Sequence, residues 1–116
     1  MTHDMLLDRY AQLAIRSGLN LQKGQQLVVT APLDAVALVR RITEHAYKAG
    51  ASLVTTLYSD DPATLARYQY GADEIFDTAP AWLFNGMAEA FRGGAARLAI
   101  AGEDPGLLAG QDSRKL

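Results

Sequence analysis

A chain of 116 residues with 49% hydrophobic and 21% charged residues has the size and composition of one globular domain or part of one. It contains no cysteine, which excludes a disulfide framework and a cysteine zinc site and fits a reducing compartment. A net charge of −2 argues against nucleic-acid binding, and no apolar run approaches the roughly 20 residues that span a membrane. We therefore expect a soluble cytoplasmic protein without nucleic-acid or membrane partners.

The first helix is predicted over residues 4–17. One apolar stripe recurs at helical spacing: Leu6, Tyr10, Leu13 and Ala14. Polar side chains lie off this stripe: Asp8, Arg9, Gln12 and Arg16. Gly18 stands where a left-handed glycine would end the helix, and Lys23-Gly24 predicts a turn before the first strand.

The stretch from residue 25 to residue 60 is the centre of the predicted fold. A β-branched run at 27–30 ends at Ala31-Pro32, an amphipathic helix is predicted over 35–49, and a second apolar run follows at 53–58. The polar side of this helix is predicted to face solvent: Arg40, Arg41, Glu44, His45 and Lys48. Gly50 is expected to end the helix in the left-handed conformation. This strand–helix–strand pattern predicts a parallel pair joined by a right-handed crossover.

After this unit, Asp61-Pro62 predicts an N-cap followed by proline in the first turn of a short helix that ends near Tyr70. Residues 72–79 are predicted to be a loop whose Ile75 and Phe76 contact the core. Pro80 then begins a helix that ends at Gly93-Gly94. Four of its apolar residues are expected to point inward: Leu83, Phe84, Met87 and Phe91.

A third strand is predicted over residues 95–101, and Asp104-Pro105 repeats the cap-then-proline pattern. The alternation of helices and strands predicts a single α/β domain over residues 1–116, a three-layer sandwich fragment with three parallel strands and flanking helices. The long connection over residues 59–94 can carry the chain back past the first strand, which favours the strand order 2-1-3. The unpaired sheet edges and an incomplete helix at 114–116 predict a fragment of a longer protein that self-associates.

No pattern in the sequence predicts a catalytic or metal-binding residue, and the substrate-binding residues remain unknown. A catalytic metal site needs three or more converging ligands, whereas the two histidines, His3 and His45, are predicted at a chain end and on a solvent-facing helix surface. The sequence also lacks a nucleophile elbow, a phosphate-binding glycine loop and a His-Glu-x-x-His helix.

The carboxyl ends of the strands are the expected ligand side of an open α/β sheet. Order 2-1-3 places a crevice between residues 30–32 and 101–103, with Asp60 further off at the edge. The acidic residues of these loops could bind a cation or a substrate amine: Asp60, Asp61, Glu103 and Asp104. The alternative is that Asp61 and Asp104 only cap helices. Trp82 could lie on an interdomain surface.

Four phrases occur in succession along the chain: LLDRYAQLAIRSGLNLQKGQQLVV, AYKAGASLV, YSDD and DPGLLAG. Together they resemble the start of the thermophilic-aminopeptidase family, the aminopeptidase T-like dinuclear metallopeptidases. The resemblance implies that the chain is the truncated N-terminal domain of a cytoplasmic exopeptidase, several times longer than this chain, that removes N-terminal residues from peptides. We also expect a homo-oligomer.

The family's two divalent metal ions and its glutamate base lie in a C-terminal part that has no counterpart here. The resemblance therefore assigns no metal ligand or catalytic residue to this chain, which we expect to be inactive and metal-free when isolated. Two alternatives remain open: a non-catalytic module that binds a small ligand, and a structural module for oligomerisation.

Overall fold

The computed structural model describes residues 2–71 and 80–101, in which helices and strands alternate. The helices are α1 (His3–Leu13), α2 (Val36–Lys48), α3 (Asp61–Tyr70) and α4 (Ala81–Arg92), and the strands are β1 (Gln26–Pro32), β2 (Leu53–Ser59) and β3 (Ala96–Ala99). A π-helical turn (Ala14–Gly18) follows α1, and a 3₁₀ turn (Leu33–Ala35) precedes α2. The predictions for Ile75 and Phe76, for Asp104-Pro105 and for residues 111–116 lie outside the described residues.

The three strands form one parallel sheet in the order β2-β1-β3, as predicted. Leu27 of the central strand lies opposite Val54 on one side and Ala96 on the other. The chain moves in opposite directions from β1 to β2 and from β2 to β3. Because parallel crossovers are right-handed as a rule, connections in opposite directions are expected to place their helices on opposite faces of the sheet, as in a three-layer α/β fold.

The hydrophobic core lies between one face of the sheet and the pair α1 and α2. Alternate residues of β1 point into it, and Leu27 and Val29 are completely buried. α2 contributes a helical stripe, and its predicted apolar face is confirmed: Val39, Ile42 and Ala46. Pro32 occupies the last register position of β1, so the strand continues through the predicted break at Ala31-Pro32. At this end position the missing proline N–H interrupts no interior ladder bond.

The predicted inward stripe of α1 is wrong. Leu6, Tyr10 and Leu13 are 39%, 57% and 51% exposed, whereas the neighbouring row is buried. That row consists of Leu7, Ala11 and Ile15, spaced four residues apart. Because α1 carries two adjacent apolar rows, its periodicity alone does not select the row that packs on α2.

The prediction that Gly18 ends the first helix in the left-handed conformation is wrong. The last turn widens instead into a π-helix, in which the Leu19 amide donates to the Ala14 carbonyl at 2.8 Å. The left-handed residue is Asn20, at φ 49°, which asparagine tolerates better than most residues. The prediction for Gly50 is confirmed by its φ of 101° directly after α2.

The helices of the second half differ from α1 and α2 because neither α3 nor α4 buries a residue among those described. In α4, Phe84 is 54% exposed, so the prediction that it points inward is wrong. The half-buried side of α4 follows the row of Leu83, Met87 and Phe91, and Phe84 is rotated about 100° from Leu83. The predicted ends of both helices, at Gly71 and at Gly93-Gly94, are confirmed.

Candidate functional site: a polar cluster between α1 and α2

The most organised polar site joins the first two helices. Arg41 and His45 are four residues apart on α2 and therefore share one face of that helix. Both reach Asp8 of α1: His45 Nε2 lies 2.9 Å and Arg41 Nη1 3.6 Å from the same atom, Asp8 Oδ1. We call these three residues the Asp8 cluster.

The prediction that His45 faces solvent is wrong. Its side chain is only 14% exposed, because α1 crosses the part of α2 that the sequence pattern assigned to solvent. An ionised carboxylate only accepts hydrogen bonds. The contact therefore requires a proton on His45 Nε2, whose N–H group donates a hydrogen bond to Asp8 Oδ1. Arg40, next to the cluster, is exposed as predicted.

The cluster keeps Asp8 ionised. The hydrogen bond from His45 lowers the pKa of the Asp8 carboxyl below its usual value, and the charges of His45, Arg41 and Lys48 act in the same direction. Partial desolvation opposes this shift. Since Asp8 accepts both interactions as a carboxylate, the cluster holds α1 against α2 at neutral pH.

An Asp–His pair can orient an imidazole for acid–base chemistry or for binding a metal ion, but either task needs a further group. Within residues 2–71 and 80–101, no three histidine, aspartate or glutamate side chains converge to form a metal site. The described residues thus do not fit the metal centre that the family resemblance implies. The geometry of the Asp8 cluster supports a clasp between two helices.

An open groove of about 510 Å³ lies beside the cluster. Its lining combines acidic, basic and apolar side chains: Asp4, Met5, Asp8, Arg9, Gln12, Leu13 and Arg41. Sequence reasoning missed this site, because Asp8 and His45 are 37 residues apart and meet only through the packing of α1 on α2. The signal available in the sequence was the spacing of Arg41 and His45 on one helical face.

The carboxyl edge of the sheet is only partly described. The Ile100 amide donates to the Thr30 carbonyl at 2.8 Å and extends the pairing of β3 with β1. Thr30 and Pro32 are half-buried and Ala101 is exposed at this edge. The predicted crevice residues Gly102 and Glu103, and Asp104 beyond them, lie outside the described residues.

The acidic residues after β2 are described, and the prediction that Asp61 is the N-cap is wrong by one residue. Asp60 holds the N-cap position with extended backbone angles, and Asp61 and Pro62 occupy the first turn. The amide and the hydroxyl of Thr64 donate to the Asp60 carbonyl at 3.0 and 3.1 Å. Both carboxylates are exposed. The structure therefore brings neither of them to the Asp8 cluster or to a metal site within the described range.

The remaining candidates lie apart from one another. His3 is the exposed first residue of α1, and Trp82 is 76% exposed at the start of α4. Among the helices that the structure describes, none combines the length and apolar character needed to cross a membrane.

Comparison with known proteins gives consistent matches along the whole chain. The family model described as thermophilic metalloprotease (M29) matches residues 3–116. Aminopeptidase T from Thermus thermophilus is 51% identical over 110 residues, which cover 95% of this chain and 27% of that relative. Aminopeptidase AmpS from Bacillus subtilis is 40% identical with the same coverage.

A solved structure, wild-type AmpT from Thermus thermophilus, superimposes on this fold with a TM-score of 0.83 and 49% sequence identity. The superposition covers 98% of this chain and 29% of that chain. The chain thus spans about a quarter of the length of the curated relatives it matches, 27% of one and 26% of another.

Proposed function

Since the chain belongs to the thermophilic metalloprotease (M29) family, we propose that it forms the N-terminal α/β domain of a metal-dependent aminopeptidase. The substrates of this enzyme are peptides, from which it removes N-terminal residues. One observation carries the proposal: 98% of the chain follows the fold of AmpT at 49% identity. A small-ligand or oligomerisation module that had only converged on this fold would have no reason to retain such identity.

The catalytic centre of this enzyme lies outside the chain. A divalent metal ion, when bound, polarises the scissile carbonyl and activates a water molecule. We propose that two such ions bind to parts of the polypeptide beyond these 116 residues. The present residues supply a rigid scaffold, in which the core between α1, α2 and the sheet fixes the position of the sheet edge relative to the rest of the enzyme.

We further propose that the enzyme is a cytoplasmic homo-oligomer. The absence of cysteine from these 116 residues is consistent with the cytoplasm, because disulfides form and persist mainly in oxidising compartments. The exposed apolar side chains of α3 and α4 support burial in a larger assembly: Leu65, Tyr70, Trp82 and Phe84.

A chimera tests the proposed function. Residues 1–116 replace the matching quarter of Thermus thermophilus aminopeptidase T. Release of the chromophore from an aminoacyl chromogenic substrate is then measured with and without added divalent metal. We expect metal-dependent activity in the chimera and none in residues 1–116 alone. Metal-dependent activity that persists in the repurified 116-residue chain would overturn the placement of the catalytic centre. A folded chimera without activity would favour a non-catalytic module.

A further inference from the structure

The two turns that lead from a helix into a flanking strand have the same backbone structure. Gly50 after α2 and Gly94 after α4 both lie in the left-handed region, at φ 101° and 95°. In both turns the glycine amide donates to the carbonyl three residues before it, and the next amide donates to the carbonyl five residues before it, which is a Schellman motif. Because this motif uses carbonyls of the helix, it leaves the carbonyl of each glycine free to accept a hydrogen bond from another part of the chain.

The segment before β1 supplies a donor to each of these two carbonyls. The Gly24 amide donates to the Gly50 carbonyl at 2.7 Å, and Gln25 donates from Nε2 to the Gly94 carbonyl at 2.9 Å. On the β2 side the donor belongs to the backbone, so the contact does not depend on a side chain. On the β3 side the donor belongs to a single side chain, which joins residues that are 69 positions apart in the sequence.

Gln25 uses all four of its polar groups at this end of the sheet. Its backbone amide donates to the Gln22 carbonyl at 3.0 Å, and its backbone carbonyl accepts from the Ser52 amide at 2.9 Å. In the side chain, Oε1 accepts from the Gln22 amide at 2.9 Å while Nε2 donates to Gly94. Only this orientation of the side-chain amide serves both partners, because an N–H group needs an acceptor and a carbonyl needs a donor. Gln25 therefore links the loop before β1 to the turns before both flanking strands.

The β3 side of the sheet has fewer other contacts that could hold its turn in place. α4 buries no residue among those described. The register of β3 with β1 covers four residues and begins opposite Leu27, whereas that of β2 covers seven and begins opposite Gln26. The Gln25 side chain thus contacts the turn directly ahead of the shorter pairing.

We propose that Gln25 is a positioning residue that holds the turn between α4 and β3 against the amino end of β1 and thereby keeps β3 in register with β1. Without its donor, β3 separates from β1 more readily than the core between α1, α2 and the sheet opens. At the other end of β3, the Ile100 amide donates to the Thr30 carbonyl, so Gln25 also stabilises the carboxyl edge of this strand pair. This role is independent of the proposed function, because all the groups involved belong to the described part of this chain.

Gln25→Glu separates the two ends of the side chain, and amide hydrogen exchange in the 116-residue chain measures the result. The new carboxylate can still accept from the Gln22 amide, but it cannot donate to the Gly94 carbonyl. At pH 6 we expect the β3 amides that face β1, those of Leu98 and Ile100, to exchange about tenfold faster than in the parent, with the amides of α2 unchanged. Below about pH 4 the carboxyl is protonated and can donate again. At about pH 3.5 the difference from the parent, measured at the same pH, should therefore fall below about twofold.

Gln22→Ala is the matched control. It removes the hydrogen bond from the Gln22 side chain to the Asn20 carbonyl and keeps the backbone amide that donates to Gln25. Exchange in β3 should then stay within about twofold of the parent. For Gln25→Glu, unchanged exchange in β3 would overturn the proposal. Equal acceleration in β3 and α2, or an unfolded chain, would also overturn it, because the effect would then be general. A difference that is the same at both pH values would show that donation to Gly94 does not hold β3.

Discussion

The two halves of the chain differ in how deeply they bury apolar side chains. Within the described ranges, every buried hydrophobic residue lies at or before Ala46. After that residue, large apolar side chains are exposed: Leu65 by 54%, Tyr70 by 84%, Trp82 by 76% and Phe84 by 54%. The first half thus contains a core of its own although it also exposes some large apolar side chains, whereas the described part of the second half has only half-buried and exposed ones.

This difference locates the stability of the chain. Helices of 10 and 12 residues, as α3 and α4 are, have marginal stability on their own and depend on tertiary packing. α2 packs on the sheet and α1 packs mainly on α2, whereas α3 and α4 bury no residue in the described structure. We conclude that β1, α1 and α2 form the best-packed unit within the described residues.

The largest expected effect on stability comes from truncating a buried side chain of the core. Leu27 is fully buried at the centre of β1, and Leu27→Ala should lower the free energy of unfolding by about 2–5 kcal/mol. Leu65→Ala removes the same atoms from α3, where the side chain is 54% exposed, and should change stability by no more than about 0.5 kcal/mol. Urea unfolding followed by circular dichroism measures both. Equal losses in the two variants would contradict the division into a packed and an unpacked half.

A pair of glycines sharpens the same comparison through the backbone. Gly50 has a φ of 101°, and a Cβ there would lie 3.0 Å from Lys23 Cγ. We therefore expect Gly50→Ala to destabilise the chain by about 1–2 kcal/mol or more. Gly86 lies within α4 with open space around it, so Gly86→Ala should be neutral or stabilising by up to about 1 kcal/mol. Thermal unfolding of both variants tests this, and a stabilising Gly50→Ala would show that the turn is not strained.

The βαβ unit and the strand order were predictable because they depend on local signals. The apolar positions of α2 recur with helical spacing, the strands on either side are short β-branched runs, and Gly50 stands directly after the helix. The long connection between β2 and β3 correctly indicated that β3 lies on the far side of β1. These features survive in the structure because local propensity and tertiary packing favour the same arrangement.

The site could not be predicted, because it depends on which side of α1 meets α2. The rows that begin at Leu6 and at Leu7 are both apolar, and the sequence does not rank them. If the row that begins at Leu6 faced the core, Asp8 would point away from α2 and His45 would be in solvent. The π-helical turn after Leu13 also changes the direction in which the following side chains point, and its sequence contains no residue that predicts a π-helix. An error of one residue at Asp60 and Asp61 has a similar local cause.

The smallest expected effect concerns the clasp that holds α1 in the packed half. The folded-state pKa of Asp8 is lowered, chiefly by the hydrogen bond from His45. A lowered pKa contributes stability that is fully present above the unfolded-state value of about 3.9 and is lost as the pH falls through the folded-state value. Asp8→Asn should therefore destabilise the chain at pH 6, and its difference from the parent should shrink below about pH 4. Urea unfolding at several pH values between 2.5 and 6 measures this difference.

Asp34→Asn, at an exposed carboxylate before α2, is the control and should show no comparable trend. A difference for Asp8→Asn that stays constant across this range would mean that the carboxylate does not stabilise the contact between α1 and α2 through its charge.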